Sequence, residues 1–219
     1  MTPGLRSALL EAVCELDARN LSPGTSGNLS ARTPGGFLIT PSGLAAGLMQ
    51  TADLVEVSLA GEWPRSRRPS SEWRFHRDIY RHFPEASAVV HAHPPFCVAL
   101  ASHRRGIPAF HYSVALAGGA DIRCADYATF GTQALSDNVL SALEGRRACL
   151  MANHGMVCFA DNPAKALSLA LEVEHLARSY VHALSLGEPV VLDGDEMDRV
   201  LGQFDDYRAG RLTARQRGK

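Results

Sequence analysis

The sequence predicts one domain of α/β or α+β class. Three observations predict it. The chain has 219 residues, 46% of them hydrophobic, which suffices for one sizeable core. Helix-like and strand-like segments alternate from end to end. No internal repeat and no low-complexity linker divides the chain.

Residues 3–19 read as a helix, because Leu5, Leu9, Ala12, Val13 and Leu16 recur at three-to-four-residue spacing. LSPGTSGNLSART (21–33) is dense in turn formers. Residues 37–39 read as a short strand between Gly35-Gly36 and Pro41, and residues 54–59 alternate like another. RSRRPSS (65–71) is a charged, exposed approach to a helix over 72–82. SAVVHAH (87–93) is a strand that Pro94 and Pro95 must stop. A helix follows over 95–103, then an extended run over 108–116 and a loop-rich segment over 118–131. Residues 136–144 read as a helix. Residues 148–151 and 156–159 flank Asn153-His154-Gly155 like two strands around a tight turn. Asn162-Pro163 is a strong helix start, and that helix runs to about Leu186. A last loop and helix end near Tyr207. The tail from Arg208 to Lys219 carries five positive charges and no acid, and is expected to be solvated and frayed.

Bulk properties exclude several classes of function. Formal net charge is −1, so no global field draws the chain to nucleic acid or membrane. No apolar run approaches the length of a membrane span. Glu11, Glu15 and Asp17 interrupt the N-terminal apolar run, which therefore does not read as a signal peptide. Five cysteines without a CxxC pair read as reduced thiols of a cytoplasmic protein. The two lysines are Lys165, at a helix start, and Lys219, the last residue. Schiff-base chemistry needs a lysine in the pocket, so an amine route is disfavoured.

Chemistry concentrates in four stretches. In SAVVHAHPP, strand alternation turns His91 and His93 to one face while Ala92 faces away. Spacing alone leaves two readings open: a chelating pair, or two histidines with separate hydrogen-bond partners. ANHGMV adds His154 in a strand–turn–strand context. Three imidazoles with an open position form a common catalytic metal arrangement. In RPSSEWRFH, Ser70 and Ser71 precede the first helical turn and Glu72 lies in it. Serines there cap free N–H groups, and the same helix end attracts phosphate. SPGTSGN (22–28) and TPSG (40–43) are turns that expose amides and hydroxyls, either as anion nests or as turns only. His76, His82, His103, His175 and His182 lie on expected helices and read as surface or satisfied residues. His111 adjoins Tyr112.

The stretches GTSGNLS, LITPSG, PSSEWRFH, AVVHAH, IPAFHY, ADYATFGT and NHG, in this order, resemble the class II aldolase/adducin family. The resemblance implies a three-layer α/β/α domain over residues 1–207 around a mostly antiparallel sheet. It implies that His91, His93, His154 and Glu72 hold one Zn2+ per subunit, with Mn2+ or Co2+ as alternatives. Glu72 would also act as the acid/base. Gly27, Asn28, Ser42, Gly43, Ser70 and Ser71 match phosphate-binding positions. Tyr112, Phe130 and Tyr207 match positions that handle the aldehyde half of the substrate, with Tyr112 and Tyr207 able to shuttle a proton. The implied reaction is reversible cleavage of a ketose 1-phosphate to dihydroxyacetone phosphate and a small aldehyde. L-fuculose 1-phosphate, which yields L-lactaldehyde, comes first. The alternatives are 5-deoxyribulose or 5-methylthioribulose 1-phosphate, then epimerase, decarboxylase or dehydratase chemistry, then a non-catalytic adducin-like module. The implied partners are a phosphorylated sugar and three further copies of the chain, in a homotetramer with active sites at subunit interfaces.

Overall fold

The computed structural model describes the backbone of residues 3–208 and the side chains of residues 4–206. Its strands are β1 (Asn28–Thr33), β2 (Gly36–Ile39), β3 (Val55–Ser58), β4 (Ala88–Ala92), β5 (Cys124–Ala125), β6 (Ala148–Met151) and β7 (Gly155–Ala160). Its helices are α1 (Pro3–Ala18), α2 (Trp73–His82), α3 (Pro95–Ser102), α4 (Gln133–Leu143), α5 (Pro163–Leu184) and α6 (Gly194–Arg208). The strands form one sheet in the order β3-β2-β1-β4-β7-β6-β5. Every neighbouring pair is antiparallel except β5 with β6.

Strand alternation builds two cores, one on each face. Leu29, Ala31, Ala88, Val90, Leu150, Met156 and Cys158 face one side, where α1, α3 and α5 pack, with Met197 and Val200 of α6. Phe37, Ile39, Val55, Val57, Val89, Cys149, Val157 and Phe159 face the other, where α2 and α4 pack. The three-layer α/β/α arrangement follows. Because both faces are covered, β4 and β7 are buried throughout.

Local chemistry sets the helix ends. Asn162 Oδ1 accepts from Lys165 N at 2.9 Å, with Pro163 in the first turn of α5. The free amides at the start of α3 donate to Glu174 of α5, Phe96 N at 3.0 Å and Cys97 N at 2.9 Å. This clamp anchors the chain directly after His93. His93 N itself donates to Leu21 O at 3.0 Å and to Ser22 Oγ at 3.1 Å.

Three expectations are corrected. Residues 28–33 of the turn-rich segment form β1, a central strand between β2 and β4. Its small polar residues resemble a loop, yet Asn28 and Ser30 are buried and paired there. Residues 112–117 form a short 3₁₀ turn inside the run expected to be extended. Helix α4 begins three residues earlier than expected, because Thr132 Oγ1 accepts from Leu135 N at 3.3 Å. The expected tail over 208–219 lies, past Arg208, outside the described residues. Among the described residues, no helix is long and apolar enough to cross a membrane.

Candidate active site

The site forms where the end of β4 meets the β6–β7 hairpin and the start of α2. In the β1–β4 register Asn28 sits opposite His91, and in the β4–β7 register His91 sits opposite Val157. His91 points to the face covered by α2, where Phe75 meets its ring edge-on at 5.4 Å. His154 follows Asn153, whose φ of 53° makes the hairpin turn tight. Glu72 is the N-cap of α2, and its amide donates to Ser70 Oγ at 3.3 Å.

Gly155 brings the hairpin against β4. A Cβ there would stand 2.4 Å from Ala92 O and 2.8 Å from His93 Cδ2. One neighbour is β4 backbone and the other the ring of a candidate ligand, so neither has an easy retreat. We therefore expect Gly155→Ala to destabilise the fold by about 1–3 kcal/mol and to displace His154. Thermal unfolding and zinc titration of the variant check this; a parent-like melting point and zinc affinity would refute it.

Glu72, His91, His93 and His154 each offer a ligand atom, and these atoms all lie within 4.8 Å of one another. His91 Nε2 is 3.0 Å from Glu72 Oε2 and 2.8 Å from His93 Nε2; His154 Nε2 is 3.3 Å from Glu72 Oε1. His91 Nδ1 lies 2.8 Å from Met156 O, which can only accept, so the proton sits on Nδ1. A neutral His91 ring therefore aims its Nε2 lone pair at the cluster.

Burial first, and then the neighbouring His91, push the pKa of His93 down to about 3 and that of His154 down to about 4. Both rings are therefore neutral ligands at ordinary pH. Burial opposes charge on His91 and on Glu72. Their mutual attraction outweighs it, raising the His91 pKa and holding the Glu72 carboxyl well below the usual carboxylate range.

The donor set fits a divalent cation. Glu72 Oε1 is buried and has no hydrogen-bond partner. Such an orphan is costly unless something else satisfies it. A tetrahedral centre with bonds of about 2.1 Å spaces its donors about 3.4 Å apart, within the span observed.

A cavity of about 340 Å³ opens beside the cluster. Gly27, Asn28, Ser42, Gly43, Ser70, Ser71, Glu72 and Phe130 line it, as do His93 and His154. The structure thus brings together every residue expected to bind phosphate. Among the described residues, no lysine or arginine lines the cavity. An anion there is met by hydroxyls, amides and the start of α2.

One expected residue stands apart. Tyr112 does not line this cavity in its own chain; it is half exposed and stacks on Phe204 at 6.3 Å and on His111. His111 is exposed, takes a bond from Ser113 N and is likewise outside the cavity. The side chain of Tyr207 lies outside the described residues.

The cavity also holds residues that sequence reasoning did not single out. Tyr127 and Asn153 line it. His76 is fully buried beneath it and bonded to Asn28, where only a surface or satisfied role was expected. A signal for His76 existed, since it follows Glu72 by four residues and so shares its helix face.

The model of the class II aldolase and adducin N-terminal domain matches residues 7–181. The chain is 51% identical over 203 residues to the 5-methylthioribulose-1-phosphate/5-deoxyribulose-1-phosphate aldolase of Rhodospirillum rubrum, covering 93% of this chain and 92% of that protein. It is 42% identical over 204 residues to the L-fuculose phosphate aldolase of Escherichia coli K12, covering 93% and 95%. The solved structure of an L-fuculose 1-phosphate aldolase superposes with a TM-score of 0.90 at 38% identity, over 94% of this chain and 98% of that one. With the family's motifs converging on one cluster of metal ligands, this chain belongs to the class II aldolase/adducin family, among its metal-dependent aldehyde-lyases.

Proposed function

We propose that the protein is a zinc-dependent lyase of 5-deoxypentulose 1-phosphates, 5-deoxyribulose 1-phosphate and 5-methylthioribulose 1-phosphate. The observation that carries the lyase reading is the orphaned Glu72 oxygen among three imidazoles at the wall of a hydroxyl- and amide-lined cavity. The higher identity to the relative named for these two substrates favours them. L-fuculose 1-phosphate, the first expectation from sequence, becomes the second reading; the 42% relative and the 0.90 superposition support it.

The phosphate sits against Gly27, Asn28, Ser42, Gly43 and the Ser70–Ser71 start of α2, which aligns the ketone half and lowers the entropic cost of reaction. Glu72, His91, His93 and His154 would hold the cation. Three imidazoles and a carboxylate suit zinc. When bound, the cation supplies Lewis-acid stabilisation of the negative charge left on the ketone half. In cleavage, the C4 hydroxyl loses its proton, the C3–C4 bond breaks with its electron pair remaining on C3, and the aldehyde leaves. The proton lost from the C4 oxygen passes by way of Tyr112 and solvent to the Glu72 carboxylate, which returns it to C3, and dihydroxyacetone phosphate departs. Phe130, which lines the cavity as Tyr127 does, faces the aldehyde half. Tyr112 handles the C4 proton from a neighbouring subunit of a homotetramer, which accounts for its exposure away from its own cavity; Tyr207 is assigned the same half of the substrate. The free cysteines agree with a cytoplasmic site of action.

The test offers zinc-loaded protein dihydroxyacetone phosphate with acetaldehyde, (methylthio)acetaldehyde, L-lactaldehyde and glycolaldehyde. Condensation is expected to be fastest with the first two. A clear preference for L-lactaldehyde transfers the assignment to L-fuculose 1-phosphate. No condensation with any aldehyde overturns the lyase reading.

A further inference from the structure

A chain of buried polar groups runs beneath α2 and ends on Glu72. Ser30 and His76 are fully buried, with Tyr80 at 2% and Asn28 at 4% exposure. Tyr80 Oη is 2.7 Å from Ser30 Oγ, and Ser30 Oγ is 2.7 Å from His76 Nδ1. His76 Nε2 is 2.6 Å from Asn28 Oδ1, and Asn28 Nδ2 is 2.9 Å from Glu72 Oε2. The surrounding face is apolar, formed by Phe37, Phe75 and Ile79. Each polar group left unpaired there would cost about 1–3 kcal/mol.

One assignment of protons satisfies the whole chain. The Glu72 carboxylate only accepts, so Asn28 must turn its NH2 to it and its carbonyl oxygen to His76. That oxygen only accepts, so the His76 proton is on Nε2. Nδ1 is then a bare acceptor and takes the Ser30 hydroxyl proton. Ser30 Oγ in turn accepts from Tyr80. Burial, then the neighbouring His91, push the His76 pKa down to about 3, so the ring carries one proton and not two. Phe75 stacks on the ring at 4.7 Å and 23°, which fixes its plane. All four donors therefore point toward Glu72.

We propose that His76 is a positioning residue for the lyase reaction: by locking the orientation of the Asn28 amide, it decides which oxygen of Glu72 is held and which is left free. Oε2 takes the Asn28 N–H, whereas Oε1 has no hydrogen bond and faces the histidine cluster. That oxygen would hold the cation at rest and, once substrate has taken its place, is the one that can exchange a proton. A flipped Asn28 amide would set its carbonyl against the carboxylate and push Glu72 out of place. Tyr80 and Ser30 act one step further back, by keeping the His76 proton on the side of Asn28.

The kinetic consequence rests on the lyase reading; the ring-proton consequence does not. Two measurements separate them. In metal-free protein carrying 15N-labelled histidine, the His76 ring is expected as the neutral Nε2–H tautomer at pH 7. An Nδ1–H ring overturns the proposal. The second measurement is exchange of the C3 protons of dihydroxyacetone phosphate in D2O by zinc-loaded protein, which needs no aldehyde. His76→Gln keeps a donor near Nε2 and is expected within about fivefold of the parent. His76→Leu removes it, and is expected to lower kcat about 10–100-fold, the scale of losing a partner that orients a metal ligand. Its KM should stay within about threefold and its zinc content at one per chain. Equal rates for the Leu variant, the Gln variant and the parent overturn the proposal. If the Leu variant does not fold, parent-like rates for the Gln variant together with an Nε2–H ring in the parent protein support it, and an Nδ1–H ring in the parent still overturns it. If the parent exchanges no protons, the lyase reading fails and the ring-proton result decides the positioning alone.

Discussion

Glu72→Gln is expected to leave the fold and the bound cation in place and to lower kcat about 10²–10⁴-fold, the range for loss of a general acid/base. The amide is nearly isosteric with the carboxylate. Its oxygen can keep the bond from Asn28 Nδ2, where Glu72 Oε2 now accepts at 2.9 Å. Its nitrogen would then occupy the position of Oε1, 3.3 Å from His154 Nε2. Three imidazoles still converge, so zinc remains, bound less tightly. What is lost is the group that can take up and return a proton at C3. Zinc content by mass spectrometry and proton exchange into dihydroxyacetone phosphate separate the two effects. Normal turnover by the variant would remove Glu72 from the acid/base role.

Exhaustive chelation is the second large effect. It should abolish turnover, and zinc should restore it. Melting should report the same event. A cation at 1,000 times its dissociation constant contributes about 4 kcal/mol to the folded state. For a chain of this size each kcal/mol moves Tm by about 2–4 °C. A drop of about 10 °C on chelation is therefore expected, and an unchanged Tm with unchanged turnover would exclude a metal centre.

The stripped protein should also weaken in mild acid. His76 and His93 have folded-state pKa values near 3, and His154 near 4, all below the ordinary 6.5. Between about pH 6.5 and 4 the unfolded chain binds protons that the folded chain refuses. Stability must then fall as pH falls through that window, by about 1.4 kcal/mol per pH unit for each proton taken up. His91 has a raised pKa and acts above 6.5 in the opposite sense, since its contribution is lost as pH rises. Denaturant titrations at pH 7 and pH 5 in the presence of chelator measure the difference.

Local pattern alone determined much of this protein. Alternation in SAVVHAH turned His91 and His93 to one face. The Asn162-Pro163 start, the two prolines after His93 and the tight turn at Asn153-His154-Gly155 were equally legible, because each depends on backbone preferences within a few residues. The order of motifs from GTSGNLS to NHG was enough to identify the family.

Only the tertiary structure decided the rest. Segment 28–33 reads as loop because Asn28 and Ser30 are small and polar; it is a central strand because partners 44 to 50 residues away satisfy them. A polar residue's place depends on who bonds to it, and that information is not local. The same holds for His76, whose burial and proton follow from Asn28 and Ser30 across the sheet–helix interface. It holds for the four ligands as well, since residues 72, 91, 93 and 154 meet only after β1, β4 and β7 pair. Side-chain alternation selected the face, and long-range packing brought the donors to one point.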